Sequence, residues 1–181
     1  MQNYFQKNRL SFREKLFSFD FVLVLMILLL GIISVFAMYS TEQGKIGYYT
    51  ESHLYRFISF FLLFFVISFF RIEIWFKTAY LFYLFVLILL VYVEFYGISS
   101  SGSRRWINLI FINLQPSELM KVALIIFLSR YYYKVPSDNI LSLKYIFAPV
   151  FALFIPVLLV ASQPDLGTAV LILIGGITVM W

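Results

Sequence analysis

Apolar residues run along this chain in long uninterrupted blocks. They neither alternate, as a half-buried strand requires, nor recur every three to four positions, as an amphipathic surface helix does. Phe21 to Tyr39 carries no charge and is long enough to cross a bilayer as a helix, which takes about 20 residues. Basic residues precede it (Lys7, Arg9, Arg13, Lys15) as they would in a signal peptide, but no small-residue cleavage site follows. The apolar run also exceeds the usual signal-peptide core of about 7–15 residues, so it is expected to be a retained first span. Phe57 to Phe70 is uncharged for only 14 residues and spans from Leu54 if Arg56 snorkels to the interface. Thr78 to Val93 is bracketed by Trp75 and Lys77 on one side and by Tyr92, Glu94 and Tyr96 on the other, the pattern of interfacial anchoring at both ends.

The fourth block, Leu114 to Tyr133, has Glu118 and Lys121 in its first third, and hydropathy alone would pass over it. The fifth, Tyr145 to Gln163, is charge-free but contains Pro149 and Pro156, which membrane helices tolerate when neighbours satisfy the carbonyls freed by proline. A sixth begins after Asp165 and is still apolar at Trp181. These blocks predict an all-α, polytopic transmembrane helix bundle forming a single integral membrane domain over 1–181. Its expected spans are 21–39, 54–70, 78–96, 114–133, 145–163 and 166–181, and the chain is expected to be the N-terminal part of something longer.

Composition agrees. With 62% hydrophobic and 13% charged residues and a mean hydropathy of +0.93, the chain departs from the roughly 45–50% and 25% of a soluble domain. The net charge of +5 would suggest nucleic acid as a partner in a soluble protein. Here the basic residues stand between apolar runs, and they set topology instead. Nine Lys and Arg fall on the side holding the N-terminus and four on the other, so the N-terminus is expected in the cytoplasm. Cysteine is absent and His53 is the one histidine, which excludes a disulfide framework and thiolate chemistry, and makes a His-built metal site improbable. No cofactor is indicated.

Chemistry concentrates in two segments. In the first, Arg104-Arg105-Trp106 is followed by Gln115-Pro116-Ser117-Glu118 and then Lys121. Pro116 suits the first position of a helix, Glu118 then falls in its first turn, where the helix dipole favours a carboxylate, and Lys121 shares its face. One reading is a neutralised pair that lets the helix insert. The other is an acid and a base kept at membrane depth because they line a polar cavity. Arg104 and Arg105 lie on the side where positive charge is unusual, which suits either an interfacial anchor or contact with a phosphate or carboxylate. The second segment, Ser162-Gln163-Pro164-Asp165-Leu166-Gly167-Thr168, repeats the Gln-Pro-acid arrangement. Ser162 and Asp165 have capping-box spacing, and Gly167 would permit close approach of another backbone. Topology brings Arg105, Glu118, Lys121 and Asp165 to a similar depth, where they could form a charged cavity with Glu94 at its rim. Glu42, Glu51, His53 and Glu73 are read as solvated or interfacial residues.

Three separated motifs, Arg-Trp-Ile at 105–107, Gln-Pro-Ser-Glu-x-x-Lys at 115–121 and Pro-Asp-Leu-Gly-Thr-Ala at 164–169, resemble the SEDS family (shape, elongation, division and sporulation), the RodA and FtsW proteins of bacterial cell-wall synthesis. Asp20 with the apolar run ending Met-Tyr-Ser at 38–40 looks like the family's first helix. Ile110 departs from relatives that often carry glycine there. The resemblance covers essentially the whole chain but only about the N-terminal half of a family member, which has ten transmembrane helices. Gln163-Pro-Asp-Leu-Gly looks more like the RodA branch than the FtsW branch. The resemblance implies a glycosyltransferase of the bacterial inner membrane that polymerises lipid II into glycan strands with a class B penicillin-binding protein. It implies cavity residues at Arg105, Gln115, Glu118, Lys121 and Asp165. The family's catalytic aspartate lies after the seventh helix, so no catalytic residue is expected in this chain and the isolated chain is expected to be inactive. A transporter of a lipid-linked anion, which also displays intramembrane charge near broken helices, and a non-catalytic membrane scaffold remain alternative readings.

Overall fold

A computed structural model describes residues 12–17, 19–100, 103–109, 113–136 and 142–181; Lys7, Arg9 and Ile110 lie outside them. The described chain is all-α apart from a small ribbon, and it divides into two compact units, residues 1–71 and 72–181.

The first unit contains α1 (Phe12–Phe17), α2 (Phe21–Thr41) and α3 (Tyr48–Ser68). Asp20 begins α2 by accepting the N–H groups of Val22 and Leu23, which gives two orphan donors of the first turn a partner. Gly31 on α2 is buried against the Phe57 ring of α3, and Ser34 Oγ lies 2.8 Å from His53 Nε2. Most large side chains of both helices face outward, as expected where the surroundings are lipid. The second helix starts at Tyr48, ahead of the Leu54 expected, because Glu42 supplies what a bilayer end would otherwise lack. Its carboxylate accepts the backbone N–H groups of Gly47, Tyr49 and Thr50 at 2.9–3.1 Å, together with the Thr50 hydroxyl. Glu42 and His53, read from sequence as solvated or interfacial, therefore brace one helix against the other.

The second unit contains α4 (Ile72–Tyr96), β1 (Ile98–Ser100), β2 (Ser103–Asn108), β3 (Asn113–Leu114), α5 (Pro116–Lys134), α6 (Leu143–Ser162) and α7 (Leu166–Met180). Helix α5 packs on α4, α6 and α7. Its buried Met120, Ala123, Leu124 and Leu128 lie at helical spacing and meet Val86 and Leu90 of α4, Leu153 of α6 and Ile172 of α7 in one core. Four described helices are long and apolar enough to cross a membrane, and α5 is not among them. It is the helix with the most neighbours, so its composition answers to protein contact and not to lipid. Strands β1, β2 and β3 form a three-stranded antiparallel ribbon in the order β1-β2-β3.

Close approach occurs at Gly176, where a Cβ would press on Leu153 and Leu124. At Gly167 it would meet open space among the described residues, so the close contact expected there falls nine residues later. Neither proline breaks α6. Pro156 cannot donate to the carbonyl of Ala152 four residues earlier, and the Tyr83 hydroxyl of α4 donates to that oxygen at 2.8 Å. Pro149 likewise frees the carbonyl of Tyr145, which accepts the Tyr131 hydroxyl of α5 at 3.0 Å.

Tyr83→Phe is expected to destabilise the protein by about 1–2 kcal/mol, and the same substitution in a Pro156→Ala background should cost clearly less, since the restored N–H serves the Ala152 carbonyl; thermal unfolding of the four proteins in detergent checks the coupling. Glu42 titrates below its usual value of 4.5, chiefly because of the Thr50 hydroxyl; burial opposes this, and the Thr50, Tyr49 and Gly47 amides each lower it by a smaller amount. A carboxylate with a lowered folded value stabilises above its unfolded value and loses that contribution as pH falls through the lowered one. Glu42→Gln should thus raise amide hydrogen exchange at Tyr49 and Thr50 near pH 7, and the difference from wild type should vanish on acidification below the ordinary carboxylate range.

Candidate functional site: an acid, an amide and a guanidinium at one end of the second unit

The end of the second unit where α4 finishes and α5 and α7 begin collects the polar residues of the separated motifs. In the ribbon, Ile98 pairs with Trp106 and Ser99 with Arg104, while Ile107 pairs with Leu114. Because side chains alternate across a strand, Arg104 and Arg105 part company. Arg104 is exposed, with Nη1 3.5 Å from the Phe95 carbonyl, whereas Arg105 places Nη1 3.6 Å from Asp165 Oδ1. Asp165 is the N-cap of α7 and accepts the Thr168 N–H at 3.3 Å. Its other oxygen, Oδ2, accepts Gln115 Nε2 at 2.9 Å, and Gln115 is itself the N-cap of α5. One carboxylate thus joins the starts of two helices and the middle strand of the ribbon. Its side chain is 11% exposed against 28% for Arg105, so the anion is the more enclosed of the two.

Glu118 sits in the first turn of α5 and engages Lys121 at 2.8 Å. Glu118 is 54% exposed and Lys121 27%, so the pair is open to its surroundings. The structure brings Arg105, Gln115 and Asp165 into one cluster and holds Glu118 and Lys121 as a pair at the same end of α5.

Three features differ from, or add to, what the sequence suggested. The Ser162 to Asp165 capping box does not form: Ser162 closes α6 and returns its hydroxyl to the Leu159 carbonyl at 2.7 Å, leaving Asp165 alone as the cap of α7. Gln163 is buried, with Nε2 3.3 Å from the Leu90 carbonyl of α4. The two Gln-Pro pairs look alike in sequence, yet one amide reaches a carboxylate and the other a backbone oxygen. An amide side chain next to proline at the end of an apolar run was the available signal. Finally, Glu94 Oε2 and Ser117 Oγ are buried at this end without a hydrogen-bond partner among the described residues, and a group left so is expensive unless a ligand or water completes it.

The chain is similar to known proteins. Residues 15–181 fit the family described as Cell cycle protein, FtsW/RodA/SpoVE. The chain belongs to this family. A peptidoglycan glycosyltransferase MrdB of Helicobacter pylori is 32% identical over 167 residues, which cover 88% of this chain and 41% of the relative. MrdB of Escherichia coli K12 is 37% identical over 99 residues, covering 55% and 26%. A probable peptidoglycan glycosyltransferase FtsW of Wigglesworthia glossinidia brevipalpis is 31% identical over 168 residues, covering 87% and 43%. Among solved structures, a chain of a peptidoglycan synthase complex, reported for its coordination of polymerization and crosslinking, superposes with a TM-score of 0.77 at 25% identity, over 88% of this chain and 46% of that one. The rod shape determining protein RodA of Thermus thermophilus superposes with a TM-score of 0.60 at 31% identity, over 66% and 39%. This member of the FtsW/RodA/SpoVE family therefore spans less than half the length of the relatives it matches. Its helices and family place it in a membrane as a multi-pass protein.

The contacts rank the cluster by burial. Asp165→Ala removes a helix cap and leaves the Gln115 amide without its acceptor, and is expected to cost about 2–4 kcal/mol. Gln115→Ala should cost about 1–2 kcal/mol, and Arg105→Ala under about 1 kcal/mol, because its ion pair is long and partly solvated. Thermal unfolding in one detergent gives the order.

Proposed function

We propose that this chain is the N-terminal part of a RodA-like peptidoglycan glycosyltransferase, a single integral membrane domain to which both units belong. The observation that carries the reading is the meeting of Arg105, Gln115 and Asp165, drawn from three separated motifs, in a chain whose relatives are named glycosyltransferases of peptidoglycan. In this reading the protein polymerises lipid II on the outer face of the bacterial inner membrane, with its N-terminus in the cytoplasm and a class B penicillin-binding protein as partner. Joining a disaccharide unit to a growing glycan requires a base for the acceptor hydroxyl and cationic stabilisation of the departing pyrophosphate. Arg105, the less buried member of its ion pair, suits the pyrophosphate, since a guanidinium binds phosphoryl oxygens two at a time. Gln115 and Asp165 set the position of Arg105, and Glu118 with Lys121 shapes the cavity wall. The family's catalytic aspartate belongs to the loop after the seventh helix, so the chain by itself is expected to be inactive. The Gln163-Pro-Asp-Leu-Gly motif supports the RodA branch, and with it a role in elongation and cell shape.

Polymerisation of labelled lipid II by the full-length protein carrying this segment, together with its penicillin-binding partner, tests the reading. Long glycan strands are expected from wild type, with at least tenfold less polymer from Arg105→Ala, Glu118→Ala and Lys121→Ala at matched membrane levels. A folded, partnered wild type that makes no polymer would transfer the assignment to lipid transport or scaffolding.

A further inference from the structure

The other end of the second unit, where α4 begins and α5 finishes, is built from cations and aromatic rings. Arg130 of α5 sends Nη1 to two backbone oxygens of α4, the Phe76 carbonyl at 2.6 Å and the Lys77 carbonyl. Its guanidinium carbon stands 4.6 Å from the centre of the Tyr80 ring and 5.6 Å from that of Phe76. Lys134, one turn on, holds Nζ 5.4 Å from the centre of the same Tyr80 ring. Two cations thus share one tyrosine, and like charges one helical turn apart repel. Neither forms an ion pair with a carboxylate among the described residues. The backbone contacts use one nitrogen of the guanidinium. Nε is shielded from water and has no hydrogen-bond partner among the described residues, so the nitrogen the guanidinium can offer outward is Nη2, whose N–H groups suit a phosphoryl oxygen.

We infer that this end of the bundle binds the phosphate of an anionic phospholipid, with Arg130 presenting Nη2 and Lys134 the second charge, both oriented by Tyr80. A lipid is the occupant because the site closes a helix of a membrane-spanning chain and is flanked by Trp75 and the half-exposed or exposed Tyr131 to Tyr133, residues that collect where hydrocarbon meets water. Clustered Lys and Arg at that depth are the usual recognition element for acidic headgroups. The inference depends on the chain being a membrane protein and is independent of the glycosyltransferase reading.

The test uses the full-length protein in nanodiscs of equal parts phosphatidylglycerol and phosphatidylcholine, with retained lipid counted by native mass spectrometry after detergent extraction. Wild type is expected to retain phosphatidylglycerol in preference. Arg130→Lys keeps the charge but removes Nη2, Lys134→Gln removes a side chain whose contact is to a ring, and each should lower the preference at least threefold. Lys45→Gln, between α2 and α3, should leave it unchanged. An unaltered preference in both Arg130→Lys and Lys134→Gln would overturn the proposal, as would displacement of the bound lipid by millimolar inorganic phosphate, which would make the ligand a soluble anion.

Discussion

In the hydrocarbon of a bilayer no water is present to pair a backbone carbonyl, and every polar group must find its partner within the protein. The second unit of this chain is arranged around that constraint. Its α6 helix carries two buried prolines, each of which strips a hydrogen bond from the carbonyl four residues before it. Each freed oxygen is met by a tyrosine hydroxyl from a different neighbour, Tyr83 of α4 for Ala152 and Tyr131 of α5 for Tyr145. The prolines are tolerable only in the presence of these neighbours. Helices α4, α5 and α6 therefore specify one another's rotation as well as their proximity, since a tyrosine turned away would leave a carbonyl bare.

The same accounting explains why α5 is the central helix. Glu118, Lys121, Arg130 and Lys134 would be costly on a helix surrounded by lipid, yet each has a partner. At one end Glu118 holds Lys121, and at the other Arg130 reaches the carbonyls of α4 and both basic residues lie over Tyr80. Between them Ala123, Leu124 and Leu128 are buried in the core while Val122 and Ile125 face outward. Charge is thus sorted to the two ends, an acid–amide–guanidinium cluster at one and a ring-bound cation pair at the other.

The cluster around Asp165 shows how a capping interaction becomes a site. A helix N-terminus needs an acceptor for its orphan N–H groups, and Asp165 supplies one to Thr168. Its remaining oxygen capacity takes Gln115 and stands near Arg105, so the group that starts α7 also ties α5 and the ribbon to it. Structural and chemical roles here belong to the same carboxylate, which caps α7 and pairs with the guanidinium of Arg105.

Long uncharged runs made the apolar helices readable in the sequence, and the three motifs made the family readable, because hydropathy and motif spacing are properties of a single segment. Helix α5 was readable only through its motif, since its charges hide it from any hydropathy threshold. The residue types of the candidate site were readable for the same reason, and Pro116 at the start of α5 followed from local dihedral preference alone. What only the tertiary structure decided is which residues meet. Gln115 and Asp165 are 50 positions apart, Tyr83 and Ala152 are 69 apart, and Gln163 and Leu90 are 73 apart. These pairings depend on helix rotation, and a helix apolar on all sides carries no stripe in its sequence to say which face turns inward. For that reason the two Gln-Pro pairs, alike in sequence, ended with different partners, Glu42 and His53 proved to be braces, and the close helix contact fell at Gly176 instead of Gly167.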